Sequence, residues 1–283
     1  MATSGHIDRR GMLALVHAYI QERATVSYGE AYISEAAVRD YLGERLGAAG
    51  YWVDPEDHAG TGDRRRYDLG VRAKRGGNLR HLLELKVIKK STSTFESYRA
   101  LLVDSLKLAL AKEQHPSASC TQVVVVKMGS LVKLLPLKEL SDKAPDYEMI
   151  PYVFEMHRCL AEERGIDWSA MVAYSRKSRV MAGTAVSMGQ RIADFAAARR
   201  KPVVVQTVLD HPNWGAKVQE SAQALADASV TSFRYGACDV GYAGASTWES
   251  VDQRLGTIDC GTLLDGFVVM GVDIKSVKVG SVT

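Results

Sequence analysis

The chain has 283 residues, 46% hydrophobic and 24% charged, with a net charge of +3. That composition excludes a disordered or fibrous chain, and no apolar run approaches the ~18 residues a membrane helix needs. The opening residues, interrupted by Asp8, Arg9 and Arg10, lack the layout of an export signal. A cytoplasmic protein with no membrane contact is expected, with one large domain or two modest ones.

The cysteines at 120, 159, 238 and 260 form no CxxC pair. They indicate neither a zinc site nor a disulfide framework, and they read as small core residues. Charge is unevenly spread. Arg64 to Lys90 holds ten basic and two acidic residues, and Arg176 to Lys201 holds seven basic and one acidic. Pro202 onward runs the other way, with five basic and nine acidic. Two basic segments in a near-neutral chain suit either a polyanion-facing surface or an ordinary solvated face.

In chain order, residues 11–24 carry apolar positions at helical spacing. Ser34 is a candidate N-cap for a helix whose stripe is Glu35, Val38, Leu42 and Leu46, ended by Gly47 and Gly50. That spacing sets a carboxylate on the inward face. Tyr51 to Val53 reads as a short strand, Asp54 to Arg66 as a loop, and Tyr67 to Ala73 as an alternating strand. Arg75 to Asn78 supplies turn chemistry, and Leu79 to Ile88 completes a β-hairpin. Phe95 to Glu113 is an amphipathic helix broken before Pro116. Gln122 to Met128 suits a buried central strand.

Beyond residue 140 the spacing predicts helices over Pro151 to Glu163, Trp168 to Tyr174, Met188 to Arg200 and Gly215 to Ala228. Val203 to Leu209, Thr231 to Tyr235 and Phe267 to Lys278 read as strands. A boundary near Ser141 to Pro151 divides the chain into 1–145 and 146–283.

The hairpin carries the chemistry. Asp68 lies on its first strand and Glu84-Leu85-Lys86 on its second. Alternation puts Glu84 and Lys86 on one face, opposite His81, Leu83, Leu85 and Val87. Charges on so apolar a strand need partners. Two carboxylates from paired strands can converge on Mg²⁺ or Mn²⁺, and a lysine two residues on can orient or deprotonate a bound water. A plain ion pair of Glu84 with Lys86 or Arg72 would also satisfy the pattern.

This arrangement resembles the PD-(D/E)XK (restriction-endonuclease-like) nuclease superfamily over about Ser34 to Met128, with Tyr67 where many members have Pro. The resemblance implies an α-β-β-β-α-β core with a C-terminal α/β extension that contacts DNA or dimerises. It implies Mg²⁺-dependent cleavage of double-stranded DNA by Asp68, Glu84, Lys86 and Glu35, in the manner of a type II restriction or defence nuclease, and a homodimer. Arg64, Arg65, Arg66, Lys89 and Lys90 flank that site, and Arg176, Lys177, Arg179, Arg191, Arg199 and Arg200 could form a second DNA-contacting surface. An inactive nucleic-acid-binding member of the fold, or a structural assembly protein, remains the alternative. Asp265…Asp273-Ile-Lys275 repeats the signature near the C-terminus, but only eight residues follow Lys275, so unless the order is permuted a structural strand is expected there.

Overall fold

A computed structural model of the protein describes residues 7–26, 29–58, 66–89, 94–131, 202–243 and 265–280. The N-terminal helices follow their local signals. Asp8 caps α1 (Arg9–Ala24) by accepting the Gly11 N–H at 2.9 Å. Ser34 caps α2 (Glu35–Ala48) by accepting the Ala37 N–H at 3.2 Å. Val38, Leu42 and Leu46 on α2 are fully buried. The expected hairpin is present as β2 (Tyr67–Arg72) and β3 (Leu79–Ile88), which pair antiparallel across a turn where Gly76 adopts φ +68°. A turn with positive φ is where glycine carries no steric cost.

The strand before the hairpin is longer than its sequence signal. β1 (Trp52–Asp57) continues through Pro55 and pairs with β2 on one side only. An edge strand tolerates proline because its N–H position there need not join a ladder. After β3 come α3 (Thr94–Gln114) and β4 (Ser119–Lys127), and β4 runs parallel to β3. A parallel pair needs such a crossover helix. One turn, α4 (Met128–Leu131), follows. From α2 to β4 the elements thus run α-β-β-β-α-β.

Past residue 200, Val203 to Leu209 is not one strand. Only Val203–Val204 pairs, as β5, and Val205–Leu209 turns into α5. Val205 and Val208 are both buried, a spacing that fits a helix and overrides β propensity. After α6 (Ala216–Asp227), β6 (Val230–Ala243) extends well beyond Tyr235, and β7 (Phe267–Val279) matches its expected span. Irregularities in the β6 register around Tyr235 to Cys238 let that strand continue past Gly236.

The seven strands among the described residues form one mixed sheet in the order β1-β2-β3-β4-β7-β6-β5. The protein is thus of the α/β class, and the strands beyond residue 146 are built into the same sheet as the hairpin, through seven antiparallel β4–β7 pairs. Helices α1 and α2 cover one face, with Leu69, Leu83, Leu85, Val123, Val125 and Val269 beneath them. Helices α3, α5 and α6 cover the other, over Leu82, Val124, Val126, Met270 and Phe233. Strand β4 is buried on both faces, as its valine run implies. Among the described residues no helix is long and apolar enough to cross a membrane.

Helix α1 approaches β7 closely because residue 271 is glycine. A Cβ there would stand 2.6 Å from Leu13 Cδ1 and 2.9 Å from Leu13 Cγ. Gly271→Val is therefore expected to destabilise the fold by about 1–3 kcal/mol through overpacking, read as a lower urea midpoint with an unchanged slope.

Candidate functional site

Strand β3 outlasts β2. The last register pair between them is Leu69↔Leu83, while β3 continues to Ile88 against β4. Backbone N–H groups alternate along a strand, so Leu85 and Val87 both point at the side β2 has left. Two carboxylates take the place of the missing strand. Asp68 Oδ2 accepts the Leu85 N–H at 2.7 Å, and Glu35 Oε1 accepts the Val87 N–H at 3.2 Å. Glu35 reaches this fork because it opens α2 directly after the Ser34 cap.

The other side chains of β3 complete the cluster. Lys86 Nζ lies 3.1 Å from Glu35 Oε1. Glu84 is buried against α3, where its carboxylate is ion-paired with Lys107. A buried polar network fixes α3 here. Gln122, beside Glu84 in register, donates to the Leu101 carbonyl at 3.2 Å and accepts from the Ser105 hydroxyl at 3.0 Å. Asp104, one turn before Lys107, adds a further negative charge that acts on both Glu84 and Lys86.

The electrostatics follow from this crowding. Burial, then the charge of Asp104, holds the Glu84 carboxyl well above the ordinary carboxylate range against the pull of Lys107. Burial likewise pushes Asp104 up to about 7, opposed by Lys86 and Lys107 and helped by Asp68 and Glu35. Burial alone would lower Lys86, but Glu35 and then Asp104 outweigh it, so the ammonium is raised and stays protonated. Four carboxyl groups thus face two ammonium groups, and two of the four, Glu84 and Asp104, are pushed toward their protonated forms, so the cluster is a set of hard oxygen donors of the kind a divalent cation takes. Among the described residues no three His, Cys, Asp or Glu side chains already stand in a ligand cluster. One oxygen each of Asp68, Glu35 and Glu84 is engaged by the chain's own donors.

The structure brings Asp68, Glu84, Lys86 and Glu35 to one locality. Asp104 and Lys107 belong with them, and sequence reasoning missed both. Their signal was two charged residues three apart within the apolar run Leu101 to Ala111. Of the flanking cations, Arg66 is exposed and paired with Glu56 at 2.8 Å, and Lys89 ends the β3 segment. Arg64, Arg65, Lys90, Arg176, Lys177, Arg179, Arg191, Arg199 and Arg200 lie outside the described residues, as does the expected helix over Met188 to Arg200. His81 is buried. Cys120 is also buried, which pushes its thiol up to about 12 and suits a core residue, not a nucleophile.

The C-terminal signature does not assemble. Asp265 precedes β7 and Asp273 lies within it, so the six extended steps from Phe267 to Asp273, at ~3.3 Å each, set Asp273 roughly 20 Å along the strand from its start. Asp273 is clasped by Arg9 at 2.8 Å and by the Thr121 hydroxyl at 2.5 Å, while Asp265 is exposed beside Lys127 at 3.6 Å. Arg9 also holds Asp239 at 2.6 Å, tying α1 to β6 and β7. Asp273 is thus a structural acceptor. No family model, curated protein or solved structure matches the chain.

Two outcomes are expected. Asp273→Ala should cost about 1–3 kcal/mol of stability in chemical denaturation, with the β2–β3 fork unaffected. The raised Asp104 carboxyl binds its proton more tightly in the folded chain than in the unfolded one, where its ordinary value is 3.8. Stability should therefore fall as pH rises from about 4 through about 7. Asp104→Asn should flatten that slope and raise the melting temperature at pH 8 by at least about 2 °C, measured by calorimetry across the pH range.

Proposed function

We propose that the β2–β3 fork is the active site of a Mg²⁺- or Mn²⁺-dependent nuclease of the PD-(D/E)XK kind, hydrolysing phosphodiester bonds in double-stranded DNA. The observation that carries this reading is the gathering of Asp68, Glu35, Glu84 and Asp104, all hard oxygen donors, in one half-buried cluster with a protonated lysine at its edge. The order of elements around the cluster supports the same reading. The donor set fits a hard dication in type and charge. Asp68 and Glu84 would hold it, with Glu35 as an outer partner. When bound, such an ion polarises a phosphate oxygen and acidifies a water.

The chain's own residues supply the rest. Lys86 stays charged, so its role is to orient the attacking water and to stabilise negative charge building on the phosphate, not to remove a proton. Glu35 fixes the direction of that ammonium at 3.1 Å. Asp68 commits one oxygen to the Leu85 N–H at 2.7 Å, which sets the orientation of the other. Arg66 and Lys89 stand at the near ends of β2 and β3, where the phosphate backbone would run. Cutting both strands would require two copies of the site, hence a homodimer of the kind expected for restriction or defence nucleases.

The engagement of Asp68, Glu35 and Glu84 by internal donors favours a second reading, a cluster that only holds the fold together in a non-catalytic nucleic-acid-binding or assembly protein. Plasmid cleavage separates the two. With Mg²⁺ or Mn²⁺ the wild type should nick or linearise supercoiled DNA, and Asp68→Asn, Glu84→Gln and Lys86→Ala should each lose about 100-fold or more in rate. Retention of DNA without cleavage by all four proteins would leave the binding reading, and neither retention nor cleavage would leave the structural one.

A further inference from the structure

The buried contact between Glu84 and Lys107 does more than balance charge. We infer that Lys107 is a built-in substitute for a divalent cation, holding Glu84 in the metal-free chain and yielding it when a metal arrives. The inference rests on the metal-site reading above and deepens it.

Glu84 has a side chain only 5% exposed, and a carboxylate that far from water needs a cationic partner to stay ionised. Lys107 supplies it from the facing helix. Lys86 does not serve this purpose, because its ammonium is paired with Glu35 at 3.1 Å. Lys107 also has a second partner in the same position. Its Nζ lies 5.2 Å from the centroid of the Tyr67 ring, and the Tyr67 hydroxyl donates to the Lys107 carbonyl at 3.3 Å. An ammonium released from Glu84 can stay on that ring face, while the Gln122 and Ser105 contacts keep α3 in place. The site therefore remains folded without metal.

Ammonium and metal cannot share the same buried oxygen. The apparent metal affinity of the wild type is then reduced by the fraction of molecules in which Lys107 occupies Glu84. A dication brings two charges where the ammonium brings one, and Asp68 and Asp104 act on Glu84 in the direction that favours the exchange.

Titration of the full chain with Mn²⁺, without nucleic acid, tests this, with free Mn²⁺ read by electron paramagnetic resonance. Lys107→Met is expected to bind Mn²⁺ about tenfold or more tightly than the wild type. Its metal-free melting temperature should be lower and should recover on adding Mn²⁺. Lys107→Gln, milder in packing, should shift the same way and serves if the methionine variant does not fold. Glu84→Gln should bind weakly whether or not Lys107 is present. Equal or weaker binding by both Lys107 variants, with the wild type still binding through Glu84, overturns the inference and leaves the metal site intact. Absence of Mn²⁺ binding in the wild type and both variants overturns the metal-site reading as well.

Discussion

A strand that outruns its neighbour leaves backbone donors without a ladder, and the fork between β2 and β3 is organised around that need. Each buried N–H without an acceptor would cost about 1–3 kcal/mol. Leu85 and Val87 meet the need with the carboxylates of Asp68 and Glu35. Drawing two acids to one place is thus a consequence of strand length before it is a matter of chemistry. Once there, they require cations, and Lys86 on the same strand is the nearest.

The far side of the strand repeats the logic in a drier setting. Glu84 faces α3 on the side of the sheet whose core includes Leu82, Leu101 and Leu102, and it is tolerated there because Lys107 meets it. The buried amide of Gln122 fixes the helix that carries Lys107. Polar contacts inside an apolar layer specify one position of α3 over β3 and β4, where hydrophobic packing alone would accept several. The remaining excess of acid over base makes the cluster costly to the fold at neutral pH. Strained electrostatics of that sort are common where a protein handles charged ligands.

Much of this was legible in the sequence. The Ser34 cap, the hairpin and the helix before the valine run announce themselves through local patterns, and Asp68, Glu84 and Lys86 stand out as charges on apolar strands. Asp104 and Lys107 did not, because a charged pair on an amphipathic helix ordinarily faces water and only the packing of α3 turns it inward. Pro55 hid the length of β1, and the register irregularity at Gly236 hid the length of β6. The short helix Val205–Leu209 was masked by its β-branched residues. The place of β7 between β4 and β6 had no local mark, since strand order is decided by partners far off in the chain.

That insertion has a kinetic side. Thr121 and Asp273, which meet across the β4–β7 seam, are 152 positions apart in the chain. Long-range pairing of this kind slows folding, because the entropy of closing so large a loop is lost before any contact rewards it. Until β7 docks, the valine-rich edge of β4 remains an open template for other strands. Newly made chains are therefore most prone to aggregate in the interval before residues 267–279 reach the sheet, and chaperone dependence in the cell would be governed by that one late event.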